Sequence, residues 1–184
     1  MLYCDRAGWM RAISKAIPGT TQTADLAARL EEPAIVITRS QNADEGVTLS
    51  GPGCSWSFRM LAKDVIFSRF KGDDKGDLTD AALDEMDRLL GESGQKATWF
   101  MDLRDAHSVA ASVSQTWTEW LSARQDRLGR VRAYAPSPLF PLVLTIAKYR
   151  SGTERVLQVH RDLDAFRNDL IAASSVDAAR SLDV

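Results

Sequence analysis

The chain has 184 residues, a formal net charge of −2, and 45% hydrophobic and 26% charged residues. That is about one ordinary globular domain, long enough to bury a core without metals or disulfides. The small net charge argues against nucleic acid as the main partner, because such binders concentrate a basic excess.

Two cysteines (Cys4, Cys54) and two histidines (His107, His160) stand far apart. No four-ligand zinc site, no other metal and no cofactor is expected from them. Two free thiols suit a reducing, cytoplasmic setting. The opening MLYCDRAGWMRAISKAI has no unbroken apolar stretch of the kind an export signal needs. No run approaches the ~20 apolar residues of a membrane span.

In chain order, Trp9, Met10, Ile13 and Ile17 recur at helical spacing up to Pro18-Gly19. Leu26, Ala27 and Leu30 suggest a second short helix, so residues 1–32 read as a helical extension. Strands then follow at Ala34–Thr38 and Val47–Leu49. After the Gly51-Pro52-Gly53 turn, Cys54, Trp56, Phe58 and Met60 alternate with Ser55, Ser57 and Arg59, giving one buried and one wet face. Val65–Phe70 is a further strand.

Beyond Gly76 the period changes. Thr79 is the expected N-cap of a helix, with Leu78 and Leu83 as a hydrophobic staple. Leu83, Met86, Leu89 and Leu90 form its apolar stripe, and Gly91–Gly94 closes it. Strands at Ala97–Leu103, Val131–Ala135 and Arg155–Val159 alternate with helices at Val109–Leu128 and Leu139–Tyr149. A last helix carries Leu163, Phe166 and Leu170. Such alternation calls for parallel strands joined by right-handed crossovers. The expected class is therefore α/β, with a mixed sheet that is antiparallel first and parallel afterwards. The domain would span residues 33–172, with a disordered tail over 173–184.

The stretch DVIFSRFKGDDKGDLTDAALDEMDRLL resembles the strand, turn and first helix of the STAS domain, the family of anti-sigma-factor antagonists and sulfate-transporter tails. WFMDLRDAHS is similar to that family's central strand, and RVLQVHRDLDAFRNDL to its closing strand and helix. The resemblance covers roughly Pro33 to Ile171 as element order. It implies a STAS-like fold that binds proteins and turns over no substrate. One departure is plain. Regulated members carry Asp-Ser-Ser/Ala-Gly where the central strand meets the next helix, and their serine is phosphorylated. Here that region reads Ala106-His107-Ser108-Val109-Ala110-Ala111-Ser112-Val113. The phospho-switch does not carry over.

Asp102, Arg104, Asp105, His107 and Ser108 follow a strand, at the edge where open α/β sheets place ligands. Two carboxylates and an imidazole there suit acid–base work or a metal. The plainer reading has Asp102 bonding loop amides and Ser108 capping the next helix, since no nucleophile elbow or phosphate loop accompanies them. Gly72 to Gly76 lacks the calcium-loop spacing and reads as an exposed acidic turn. Trp117 and Trp120 read as core.

The helix at 139–149 is apolar on nearly every side. Either the extension covers it through Trp9, Met10 and Ile13, or Leu139, Phe140, Val143 and Leu144 meet a protein partner. Charge is also uneven. Asp73, Asp74, Asp77, Asp80, Asp84, Glu85, Asp87 and Glu92 make one segment acidic, and Arg124 to Arg155 is rich in bases.

The leading expectation is a non-enzymatic regulatory or adaptor domain of bacterial-type signalling, binding a protein partner. A homo-oligomer stays open. The rival is an immunity or antitoxin protein that masks a toxin surface. A small enzyme or ligand-binding protein using Asp102, Asp105 and His107 is the third reading.

Overall fold

A computed structural model describes residues 36–41 and 46–174 of the chain. The extension expected over residues 1–32 and the tail from 175 lie outside the described residues. The elements are β1 (Thr38–Gln41), β2 (Val47–Gly51), β3 (Cys54–Ala62), β4 (Val65–Asp74), α1 (Thr79–Ser93), β5 (Ala97–Val109), α2 (Ala111–Ala123), β6 (Leu128–Tyr134), α3 (Leu139–Arg150), β7 (Leu157–His160) and α4 (Leu163–Ala173).

The seven strands make one sheet, in chain order from β1 to β7. β1 to β4 pair antiparallel through turns, and β4 to β7 pair parallel across the helices. Parallel neighbours need a crossover, and α1, α2 and α3 supply one each. The sheet always advances in the same direction. Crossovers of one hand therefore leave those three helices on one face.

The main core fills that side. Trp56 and Phe58 of β3, Ile66 and Phe70 of β4, Trp99 and Met101 of β5 and Val131 of β6 meet Met86 and Leu90 of α1, Trp120 of α2 and Phe140 of α3. On the opposite face, among the described residues, α4 covers a smaller cluster. Phe166 and Leu170 pack there on Val65, Phe67, Phe100 and Tyr134. The mixed α/β class and the strands-first order are those the STAS resemblance implies.

Several boundaries move from their expected places. β1 starts at Thr38, four residues later than expected, and its residues are exposed on an edge. β5 runs on to Val109, because its pairing with β4 continues to Asp74↔Val109. α2 is accordingly shorter than the expected 109–128. Leu128 is not on its apolar face but opens β6, buried opposite Ala97. β7 begins at Leu157, since Val156 still closes a turn onto Thr153. Ala173 ends α4 instead of opening a tail, and the buried Ser174 hydroxyl donates to the Leu170 carbonyl at 2.6 Å.

Two capping expectations fail. Leu78 occupies the N-cap of α1, and the Thr79 hydroxyl is buried with no hydrogen-bond partner among the described residues. Ala110 occupies the N-cap of α2, because strand pairing holds Ser108 inside β5. At the other end of α1, Gly94 takes a left-handed conformation with φ 64°, which suits glycine.

Candidate functional site

The polar residues at the carboxyl end of β5 fall into two separate networks. The cause is a register shift. Arg69 of β4 lies opposite Asp102, but Lys71 lies opposite Asp105, so β5 carries one extra residue between them. In a regular strand, positions three apart point to opposite faces. The bulge brings Asp102 and Asp105 onto the side of Arg69. The Arg69 guanidinium donates to Asp105 at 2.7 Å and stands 3.8 Å from Asp102.

Asp102 is fully buried, and its carboxylate accepts from the Arg104 backbone N–H and from Arg104 Nε, both at 3.1 Å. Arg104 also lies over the Tyr134 ring, 5.5 Å from its centre. The amide that Asp102 bonds lies within β5, not in a loop. The Asp102 charge is held by arginines.

His107 and Ser108 belong to the second network. The Ser108 hydroxyl donates to Asp73, and His107 Nδ1 stands 3.7 Å from the same carboxylate, well exposed. Asp73 and Asp74 form the end of β4, not a free turn. Asp74 is buried. It accepts the Gly76 N–H at 2.8 Å, and burial raises its pKa, with Asp77 adding to the rise and the Gly76 bond opposing it. No hydrogen bond or ion pair joins Asp102 or Asp105 to His107. Among the described residues, no group of three or more His, Cys, Asp or Glu side chains is placed to hold a metal.

α3 presents a different surface. Phe140 is 5% exposed and Ala147 is buried, so one side of the helix seats on the core, with Leu144 partly buried beside them. Leu142, Ile146 and Tyr149 are 60%, 51% and 66% exposed. Their spacing of four and three residues places them on one outward stripe. Lys148 and Arg150 sit at its carboxyl end, where cations suit the helix dipole. Of the four residues expected to meet a partner, Phe140 is an anchor into the core and Val143 and Leu144 are half-buried. The side chain of Leu139 is outside the described set.

Beneath α3 lies an apolar cavity of about 80 Å³, partly open to solvent. Trp56, Phe70 and Trp99 form its sheet side, with Trp117 of α2 and Val143 and Leu144 of α3 opposite. Four of the five tryptophans are in mutual contact here. Trp56 and Trp117 stack with centres 5.1 Å apart. Trp120 stands edge-on to Trp117, and its indole N–H donates to Asp87 at 3.2 Å. Asp87 also takes the Arg124 guanidinium, tying α1 to the end of α2.

No family model matches this chain. No curated protein matches it either. Among solved structures, it is similar to an uncharacterized DUF3478-family protein with a SpoIIAA-like fold from Shewanella loihica PV-4. The TM-score is 0.47 at 10% identity, over 74% of this chain and 93% of that one. It is also similar to an anti-sigma factor antagonist from Mycobacterium paratuberculosis, with a TM-score of 0.38 at 14% identity, over 76% of this chain and 97% of that one.

Of the residues expected at a partner surface, Phe140 alone is shown buried, and the exposed apolar groups of α3 lie at Leu142, Ile146 and Tyr149. The stripe was there in the i, i+4, i+7 spacing of Leu142, Ile146 and Tyr149. Arg69 was missed entirely, because a lone arginine in an apolar strand carries no pattern that points to a partner 36 residues away.

Proposed function

We propose that the chain is a non-enzymatic regulatory or adaptor domain of bacterial-type signalling, which takes a protein partner on the outer face of α3. The observation that carries this reading is the stripe of Leu142, Ile146 and Tyr149. α3 already anchors itself to the core through Phe140 and Ala147, so its outer apolar groups add nothing to that seat. Adjacent large apolar side chains left in water, with bases beside them, suit an apolar contact with a partial acidic rim.

The toxin-masking reading has less to draw on. Of the acidic segment, Asp74 is buried, Asp87 is engaged by Arg124, and Glu85 and Glu92 by Arg88. The enzyme reading needs Asp102 and His107 to act together, and they belong to different networks.

A photo-crosslinking residue placed at Ile146 in the native host should give a discrete protein adduct. The same residue at the exposed Asp84 of α1 should not. Leu142→Asp should remove the adduct while the purified chain melts normally. Equal labelling from both positions, or none from Ile146, would reject the assignment of this face.

A further inference from the structure

We propose that the cavity beneath α3 is a binding site for a small neutral aromatic group. It stands independently of the partner proposal, because it concerns the inner side of α3.

The walls decide the chemistry. Three indoles and the Phe70 ring line the space, together with aliphatic groups from α2 and α3. Rings of this kind favour another ring, stacked or edge-on. The lining lacks partner atoms on one side, and the Trp56 and Trp117 indole N–H groups in it are buried with no acceptor among the described residues. A ligand restores those contacts. Asp74 also stands at the wall, and a carboxyl group there disfavours an anionic ligand such as a fatty acid or an aromatic acid.

The volume of about 80 Å³ is smaller than the ~150 Å³ apolar cavity that accepts benzene. One wall must therefore yield, and α3 is the wall that strand pairing does not hold. Its N-cap residue is Pro138, whose side chain has no polar atom to accept a helix N–H. The Thr145 hydroxyl donates back to the Pro141 carbonyl at 2.6 Å, a bond that commonly accompanies bending. The opposite wall is the centre of the sheet and is fixed by strand pairing on both sides.

Toluene is the probe, with benzoate as its charged counterpart. Toluene added to the purified full chain should shift the amide resonances of α2 and α3, change the tryptophan emission, and raise the melting temperature by a few degrees. Benzoate should do none of these. Ala147→Leu extends a side chain from α3 into the cavity and should abolish the toluene response. Leu121→Ala enlarges the cavity and should tighten toluene binding several-fold. If Ala147→Leu does not fold, Leu121→Ala decides alone. No toluene response in the native chain would overturn the proposal. So would equal binding by both variants, or benzoate binding as well as toluene.

Discussion

The Trp99 indole N–H of β5 donates to the Ser68 hydroxyl of β4 at 2.9 Å, and both side chains are wholly buried. A serine in the middle of an apolar strand is there because the tryptophan beside it needs an acceptor. Ser68→Ala should leave that N–H without a partner and cost roughly 1–3 kcal/mol in urea unfolding. Ser68→Ala combined with Trp99→Phe should recover part of the loss from the unmet bond, beyond the volume lost with the indole. A single substitution with unchanged stability would show that the bond contributes nothing.

Burial raises the Asp74 pKa, with Asp77 adding to the rise. Between the ordinary carboxylate value and the raised folded value, the native state holds more protons than the unfolded chain. Stability therefore falls as pH rises through that window and is flat above it. Asp74→Asn keeps an acceptor for Gly76 and removes the titration. The variant should match or exceed the native chain at neutral pH, and its advantage should vanish in acid. Urea midpoints across the pH range measure this. An advantage that grows as pH falls would contradict it.

Glu85 titrates with the opposite sign. Burial pushes its pKa up, but the bonds and charges of Arg88 and Arg39 outweigh that and hold it below the usual range. Its contribution is present above the ordinary glutamate value and is lost as pH falls through the lowered folded one. The Arg39 pair, 2.7 Å long, also ties the edge strand β1 to α1. Glu85→Gln should cost roughly 2 kcal/mol at pH 7, the order of a hydrogen bond to a charged group, and less in strong acid. Faster hydrogen exchange at β1 than at β3 would show the tether loosened. Exchange unchanged at β1 would mean that strand pairing alone holds it.

The two sides of α3 should respond differently to one charge. Phe140→Asp puts a carboxylate into the core and should cost at least the ~3–5 kcal/mol of deleting a buried phenylalanine. Ile146→Asp changes an exposed position and should stay within about 0.5 kcal/mol. Thermal melting of the two variants checks this directly. Similar losses would mean that the helix is seated on another face.

Gly72 has φ 89°, and a Cβ there would stand 2.0 Å from the Gly53 carbonyl. Gly72→Ala should therefore cost about 2 kcal/mol or more. A variant that melts normally would show that the β3–β4 pair can shift at its end.

Much of this fold was legible because period-two alternation in β3 and the regular strand–helix order after Leu78 are local signals. The departures came from tertiary pairing. Ser108 reads as a cap by residue type, but strand pairing on its β4 side takes it into β5. Leu128 continues an apolar helical face in sequence, yet the sheet takes it as the first residue of β6. Asp74 reads as part of a solvated acidic turn, and only its place at the end of β4 shows it to be buried. The candidate site was the least legible part. A one-residue bulge that moves Asp105 to the side of Asp102 leaves no trace in composition or spacing. Whether Phe140 or Ile146 faces outward depends on which side of the helix meets the sheet.

Chain order and sheet order coincide, but the covering of the second face does not follow them. Val65, Phe67, Phe100 and Tyr134 belong to strands made early and midway, and Phe166 and Leu170, which cover them, come after every strand. During synthesis the described strands are all made before α4, the described helix that covers that patch, leaves the ribosome. A ribosome stalled before Leu163 would thus hold those four side chains without the Phe166 and Leu170 cover that α4 brings, an apolar patch of the kind chaperones bind.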